Sequence, residues 1–372
     1  MTLALTQVRA GTFTEPNQVT VRQWLENWME VYQANTITPN FYVRRLDLIK
    51  LHINPTLGDK QLMKLRPADI KALYNRLEKN GKVDGSGGLS SQSIRHIHNI
   101  LNPTMKQAVK EGLIAKNMVA DVRPPKLVRT KEARPLDKEE ASRYLKQIAN
   151  HRLYAAFLLE LTTGLRRGEL LGVQWGDLNP DTGALKIRRQ VSRVKLPGNP
   201  STLEYAPLKT PSSYRTIMLP AITLKALESH RKQQNEEKMR WRTIYPDEDL
   251  IFCTPLGGKL DTRRLYHVHI KALEDAKIPH TAFHNLRHTV ATVLLQAGEN
   301  IKTIQDMLGH SDVETTLNCY SHVLEDMKKG AADKLKSIFG EVLSSNPEQE
   351  NSPENVQAIK KCYPVGVRYH LL

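Results

Sequence analysis

Tyr320 closes the string LGHSDVETTLNCYSH (Leu308 to His322), downstream of two basic clusters, TGLRRGEL (Thr163 to Leu170) and HNLRH (His284 to His288). A phenol with an ordinary pKa of about 10 is almost wholly protonated at neutral pH, and a phosphodiester repels any anion that approaches it. A tyrosine preceded by so much fixed positive charge therefore reads as a nucleophile aimed at a phosphodiester. In phosphoryl transfer, charge gathers on the non-bridging oxygens and on the in-line leaving oxygen, so the rate gain must come from positioned cations and hydrogen-bond donors. Arginine suits this task because its planar fork binds two oxygens and stays charged.

Arg166 and Arg167 are neighbours, so only one of them can point into a site. On a helix beginning after Gly164, Glu169 is i+3 from Arg166 but i+2 from Arg167, and its carboxylate can brace only the former. His284, Arg287 and His288 fall at i, i+3 and i+4 and share one helix face. Residues 301 to 308 predict a further helix that Gly309 ends, after which Ser311 and Glu314 form a capping box. His310 then sits at a helix junction beside the segment that carries Tyr320. Cys319 points about 100° away from its neighbour on a helix and reads as packing. Lys209 precedes the turn Thr210-Pro211-Ser212-Ser213, and Lys195 is its rival on the preceding segment.

Taken singly, each motif has a plainer reading: a surface Arg–Glu pair, a solvated basic helix face, a structural histidine. Taken together, Thr163-Gly164-Leu165-Arg166, His284-x-x-Arg287 and Leu308-Gly309-His310 ahead of Tyr320 resemble, in order and spacing, the signature of the tyrosine recombinases, the phage-integrase family. The resemblance runs from roughly Val19 to Leu335. It implies that Tyr320 forms a 3′-phosphotyrosyl intermediate and that Arg166 and Arg287 clamp the phosphate. It further implies that His284 shares in proton transfer, that His310 contacts the phosphate, and that Lys209 is the hairpin lysine acting as general acid. Glu169 and His288 support these groups. The phosphotyrosine stores the cleaved bond, so no cofactor, metal or nucleotide is expected. The implied partner is double-stranded DNA at core or attachment sites, bound by a homotetramer on synapsed DNA, with a directionality factor as a further partner.

The elements that position these residues must fit a chain of 372 residues, enough for two domains. Lys and Arg number 54 against 39 Asp and Glu, a net charge of +15 that favours a polyanionic partner. No apolar run of roughly 18 residues could span a bilayer and no charged-then-apolar leader opens the chain, so a cytoplasmic location is expected. Three scattered cysteines, Cys253, Cys319 and Cys362, argue against a disulfide framework or a zinc site.

The expected fold is mainly α with a small antiparallel β-sheet: a helical core-binding (SAM-like) domain, then a mixed α/β catalytic domain, together forming a clamp around DNA. Residues 1–18 form a polar leader, 19–120 the helical domain, 121–135 a basic, proline-containing linker, 136–336 the catalytic domain and 337–372 a tail. In the first domain helices are expected over 39–52, 67–79 and 90–112, with breaks at Pro55 and Pro67 and a kink at Pro103. Val21, Trp24, Leu25, Trp28, Met29 and Tyr32 mark an earlier buried stripe. This domain carries 15 Lys and Arg against 8 Asp and Glu, so it too should touch DNA. Arg44, Arg45, Lys64, Arg95 and Lys106, with Arg129 of the linker, are the candidate phosphate contacts. In the second domain Asp137 and Glu140 should cap a helix, with another over 153–163, and the alternating runs at Leu185 to Arg188 and Tyr214 to Leu219 should pair as a hairpin sheet. Gly257-Gly258-Lys259 reads as a turn, since it lacks the rest of a phosphate loop.

Two other functions compete. The string IKTIQDMLGHSDVETTLNCY could be a helix-turn-helix of a transcription regulator, which leaves Arg166, Lys209 and Arg287 without a task. A type IB topoisomerase-like nicking enzyme would share the chemistry without synapsing two sites. Integrases of this kind often begin with a small domain for arm-type sites, and 18 leading residues are too few to build one.

Overall fold

The computed structural model describes residues 18–127, 134–196, 198–309, 333–337 and 339. Tyr320, His310 and Arg129, the Ser311–Glu314 box, Cys319 and Cys362, the leader to residue 17 and most of the tail lie outside the described residues. The chain divides into two compact units, the first comprising residues 1–132, 189–207 and 259–265, the second 133–188, 208–258 and 266–372.

Among the described residues, the first unit is built on four α-helices. Thr20 caps α1 (Val21–Trp28) through a reciprocal box with Gln23, and Val21, Trp24, Leu25 and Trp28 are buried, the chain continuing as a π-helical stretch Met29–Gln33. Helix α2 (Pro39–Leu48) runs directly into a second π-helical stretch, Ile49–Gly58, so the break expected at Pro55 is absent. The π ladder pairs each amide with the carbonyl five residues back, and Pro55 forgoes a bond only near the end of the run. Ile49, Ile53 and Leu57 remain buried on one stripe. Helix α3 (Pro67–Asn80) starts with proline at its first position, where no amide donor is needed, and buries Ile70, Leu73, Tyr74 and Leu77.

Helix α4 (Ser91–Lys110) passes through Pro103 without interruption. The ring lies on the exposed face, while Thr104 beside it is buried and returns its hydroxyl to the Ile100 carbonyl at 2.7 Å. Trp24 Nε1 donates to the Thr104 carbonyl at 3.0 Å, tying α1 to α4 across the core. Leu25, Ile53, Ile70 and Leu101 are fully buried in that core, each contributing roughly 1.5–3 kcal/mol.

In the second unit, Asp137 Oδ1 accepts from the Glu140 amide at 2.7 Å at the start of α5 (Lys138–Gln147). Helix α6 (Tyr154–Thr163) is apolar on nearly every face and buried accordingly. It ends at Gly164, and α7 (Arg167–Gly172) follows two residues later. Strand β1 (Ala184–Ile187) pairs antiparallel with β4 (Arg215–Met218), placing Leu185 opposite Ile217 and Ile187 opposite Arg215. The two are not joined directly: an additional hairpin, β2 (Gln190–Val194) with β3 (Thr202–Ala206), intervenes and groups with the first unit. There the Asn40 side chain donates to the Arg193 carbonyl at 2.5 Å and accepts from the Lys195 amide at 3.0 Å, imitating a neighbouring strand. Helices α8 (Ala221–Arg240), α9 (Thr262–Asp275), α10 (His284–Gln296) and α11 (Ile301–Leu308) complete the described chain, apart from a short helical piece at 333–337. The loop at Gly257 is a turn, its amide donating to the Thr254 carbonyl at 2.9 Å. Among the described residues no helix is long and apolar enough to cross a membrane.

Candidate active site

Two left-handed glycines bring distant motifs together in the second unit. Gly164 (φ +63°) ends α6 and Gly309 (φ +69°) ends α11. A Cβ on Gly164 would stand 2.5 Å from Leu308 Cδ2, and one on Gly309 would stand 3.0 Å from both Arg215 Nη1 and the Ser212 carbonyl oxygen. The Thr-Gly-Leu-Arg turn and the Leu308–Gly309 end of α11 are therefore pressed against each other, and only glycine supplies both the backbone angle and the room. Leu308 and Ile304 of α11 pack with Ala291 and Leu295 of α10 beneath them.

Arg166 caps α7 in an extended conformation, while Arg167 inside the helix is exposed. Its Nη1 donates to Glu169 Oε1 at 2.7 Å and to Ser213 Oγ at 3.2 Å, and its Nη2 donates to the Gly309 carbonyl at 3.1 Å. The side chain is 31% exposed against 2% for Glu169, so the carboxylate anchors a guanidinium that still reaches solvent. Glu169 also accepts from Arg215 Nη2 at 3.0 Å. Burial pushes the Glu169 carboxyl up, but Arg215 and Arg166 outweigh it and hold the group below the usual carboxylate value.

Arg287 lies deeper. It is 1% exposed, donates to the Gly164 carbonyl at 2.7 Å and to the Leu308 carbonyl at 2.6 Å, and so fastens the two glycine turns from below. Its Nε is buried without a hydrogen-bond partner. Burial, and then the Arg166 charge, pull its pKa down to about 10, still cationic at neutral pH. Glu160 on α6 is buried with neither carboxylate oxygen bonded. Burial drives this carboxyl well above its ordinary value against the attraction of Arg287. Arg166 and Arg215 thus share one hydrogen-bonded carboxylate, Glu169, while Arg287 is bonded only to carbonyls and burial favours the neutral form of Glu160. The surplus positive charge is what an anion with spreading oxygen charge requires.

His284 and His288 stack edge to face at 5.2 Å on α10. Desolvation, then the charges of His288 and Arg287, hold the His284 imidazole below its ordinary value, which leaves a neutral ring able to take a proton. Lys209 is exposed and precedes the helical turn Pro211–Ser213. Its rival Lys195 lies in the other unit, its ammonium 3.8 Å from Asp47. Among the candidate DNA contacts of the first unit, Arg44, Lys64 and Lys106 are exposed. Arg45 instead stacks over Phe41 at 4.6 Å and Trp28 at 5.7 Å and donates to Gln33, and Arg95 Nε donates to the Pro125 carbonyl at 3.0 Å. Among the described residues no group of three or more His, Cys, Asp and Glu could hold a metal ion.

Arg215, Ser213 and Glu160 are the members of this cluster that the sequence reading passed over. The signal for Arg215 was present: it lies two residues before Ile217 in an alternating strand, an inward position where an arginine needs a reason.

A helical chain of two units, the second gathering Arg166, Arg287 and their partners from separate motifs, defines a site-specific recombinase of the tyrosine class. The chain belongs to the phage integrase family: that family's model matches residues 134–327, and the model of the phage integrase N-terminal SAM-like domain matches residues 20–78. A tyrosine recombinase XerC-like protein of Caldanaerobacter subterraneus subsp. tengcongensis is 31% identical over 350 residues, 90% of this chain and 87% of that one. The fold is similar to that of the Tn1549 transposon integrase in complex with a circular intermediate DNA (TM-score 0.67, 23% identity, 85% of this chain and 99% of that one). It is also similar to a lambda integrase tetramer bound to a Holliday junction (TM-score 0.56, 20% identity, 83% of this chain and 80% of that one).

Proposed function

We propose that this recombinase integrates and excises a mobile element by cleaving and rejoining double-stranded DNA at core sites through Tyr320. In this reading the phenol oxygen attacks the scissile phosphorus in line. The phenol proton passes to His284, whose imidazole is held in its neutral form. A 3′-phosphotyrosyl bond forms as the bond to the 5′ oxygen breaks, and Lys209 protonates that oxygen. Arg166 contacts the non-bridging oxygens, Arg287 adds its charge from beneath, and His310 completes the donor set. Glu169 and His288 hold these groups in place. Religation is the same step reversed with a new 5′ hydroxyl.

The helices of residues 19–120 would grip the core site, the segment 121–135 would run along phosphates, and residues 136–336 would carry the chemistry. Four copies would act on two synapsed sites, a reading supported by the lambda integrase tetramer bound to a Holliday junction, with a directionality factor biasing integration or excision. The observation that supports the reading most is the cluster of Arg166 and Arg215 on the Glu169 carboxylate with Arg287 beneath, Arg166 and Arg287 coming from the motifs that precede Tyr320. The test is covalent adduct formation on a nicked duplex spanning the junction between the element and its host. Tyr320→Phe should retain binding and form no adduct, because only the nucleophilic oxygen is lost. Normal adduct from that variant would refute the assignment. Joining of two separate duplexes distinguishes recombination from topoisomerase-like nicking.

A further inference from the structure

We infer that Arg215 is a positioning residue of this reaction, holding the Arg166 brace, the Lys209 turn and the Met307–Gly309 end of α11 in one register. The inference rests on the recombinase reading above. Arg215 Nη2 donates to Glu169 Oε2 at 3.0 Å, Nε to the Met307 carbonyl at 2.6 Å, and Nη1 to the Ser213 carbonyl at 2.9 Å. Each acceptor belongs to a different piece of the site. Glu169 braces Arg166, Met307 lies three residues before His310, and Ser213 lies four residues after Lys209. Every nitrogen of the guanidinium is engaged by protein and the side chain is only 7% exposed, so Arg215 acts through these neighbours and not on the phosphate.

The residue type follows from the geometry. Three acceptors on three segments need a planar donor set with fixed directions, which a lysine's single ammonium does not offer. The pairing with Glu169 is buried on both sides, at 7% and 2% exposure, where charge-assisted bonds are strong and poorly screened. Freed of Arg215, Glu169 would keep Arg166 as its partner while losing its tie to β4 and to the end of α11. The guanidinium it braces would then depend on its own single bonds to Ser213 and Gly309 for its place relative to both turns. A misplacement of about 1 Å in such a group can cost about 100-fold in rate.

The experiment uses the full chain and the nicked junction duplex, measuring single-turnover adduct formation against DNA concentration, with melting temperature alongside. Arg215→Lys keeps the charge and loses the fork. We expect its maximal rate to fall about 100-fold. Half-saturation should stay within about 2-fold, because ground-state binding is spared. Glu169→Gln breaks the same contact from the other side. The double variant should lose much less than the product of the two single losses, since the Arg215–Glu169 contact is already gone in each, although Glu169→Gln loosens Arg166 as well. A wild-type rate in Arg215→Lys, a loss confined to half-saturation, or losses that multiply would overturn the inference. Should Arg215→Lys melt below the assay temperature, Arg215→Gln serves the same comparison, and if it too is unfolded the role is purely structural and the inference fails. Absence of adduct in the wild type, or adduct in Tyr320→Phe, would instead defeat the recombinase reading itself.

Discussion

Glu169 accepts two bonds from Arg166, one from its guanidinium at 2.7 Å and one from its backbone amide at 3.1 Å. The second bond is the ordinary inward reach of an acidic residue at the third position of a helix. The first turns that capping device into a mount for the Arg166 guanidinium. Position i+3 in sequence thus decides both where α7 begins and where the Arg166 charge points.

Glu160 should give the protein a pH-dependent weakness. Its folded pKa lies above its unfolded value, so its contribution to stability is fully present below the unfolded pKa of about 4.3 and is lost as pH rises through the folded pKa. Glu160→Gln replaces the acid by a permanently neutral group of the same shape. Melting curves of the two proteins should nearly coincide at about pH 4 and diverge towards about pH 9, with the wild type the less stable. Parallel curves would show that Glu160 does not titrate in this way.

Lys209 should be separable from the arginines by the leaving group. Replacing the bridging 5′ oxygen by sulfur gives a thiolate of pKa roughly 8–9 that departs unaided. Lys209→Ala should be crippled on the oxygen substrate and recover most of its cleavage on sulfur. Arg166→Ala should remain defective on both, because its proposed contribution is to the non-bridging oxygens. If Lys195→Ala is rescued and Lys209→Ala is not, the general acid is the other lysine.

Gly164→Ala should cost more than the backbone angle alone explains. The comparison is Gly112→Ala, also left-handed at φ +71° but with nothing within 4 Å of the added carbon. Gly112→Ala should cost roughly 1–2 kcal/mol. Gly164→Ala adds the displacement of Leu308 and should cost about 1–3 kcal/mol beyond that. It should also slow adduct formation, because Arg287 is bonded to the Gly164 carbonyl. Equal losses in chemical denaturation would contradict the close approach.

DNA binding should weaken steeply with salt. Exposed lysines and arginines on a chain of net charge +15 displace counterions from the phosphates they meet, and the slope of log affinity against log salt counts those contacts at about 0.9 each. Arg44→Ala and Lys106→Ala should each flatten it by about one contact. Arg45→Ala should leave the slope unchanged and lower stability, because Arg45 is stacked on Phe41 and Trp28. A slope change from Arg45→Ala equal to the other two would reverse that assignment.

Local signals in the chain made much of the fold legible. The stripe Val21, Trp24, Leu25 and Trp28, the box at Asp137 and Glu140, and the glycine stop after Leu308 each follow from spacings of three or four residues, and each stands in the structure. What stayed hidden depends on partners far away in sequence. The passage of helix through Pro55, where a break was expected, goes with burial of the flanking residues in a shared core. The intervening hairpin at Gln190 to Ala206 is held by Asn40, some 150 residues earlier, as the separation of 153 residues to Arg193 records. Arg215 could be seen as an oddity in a strand, but its acceptors at Met307 and Glu169 could not. Tyr320 and His310, the plainest readings of the sequence, lie outside the described residues.

Five of the contacts that assemble the arginine cluster end on main-chain carbonyls, those of Gly164, Ser213, Met307, Leu308 and Gly309. A carbonyl is offered by every amino acid, so the side chains at Met307 and Leu308 are not what the arginines recognise, whereas Ser213 also offers its hydroxyl to Arg166. Mutational drift at Met307 and Leu308 would be filtered by packing alone, while the arginines themselves tolerate no exchange. A library randomised at Met307 should accordingly recover many apolar residues, whereas one randomised at Arg215 should return arginine.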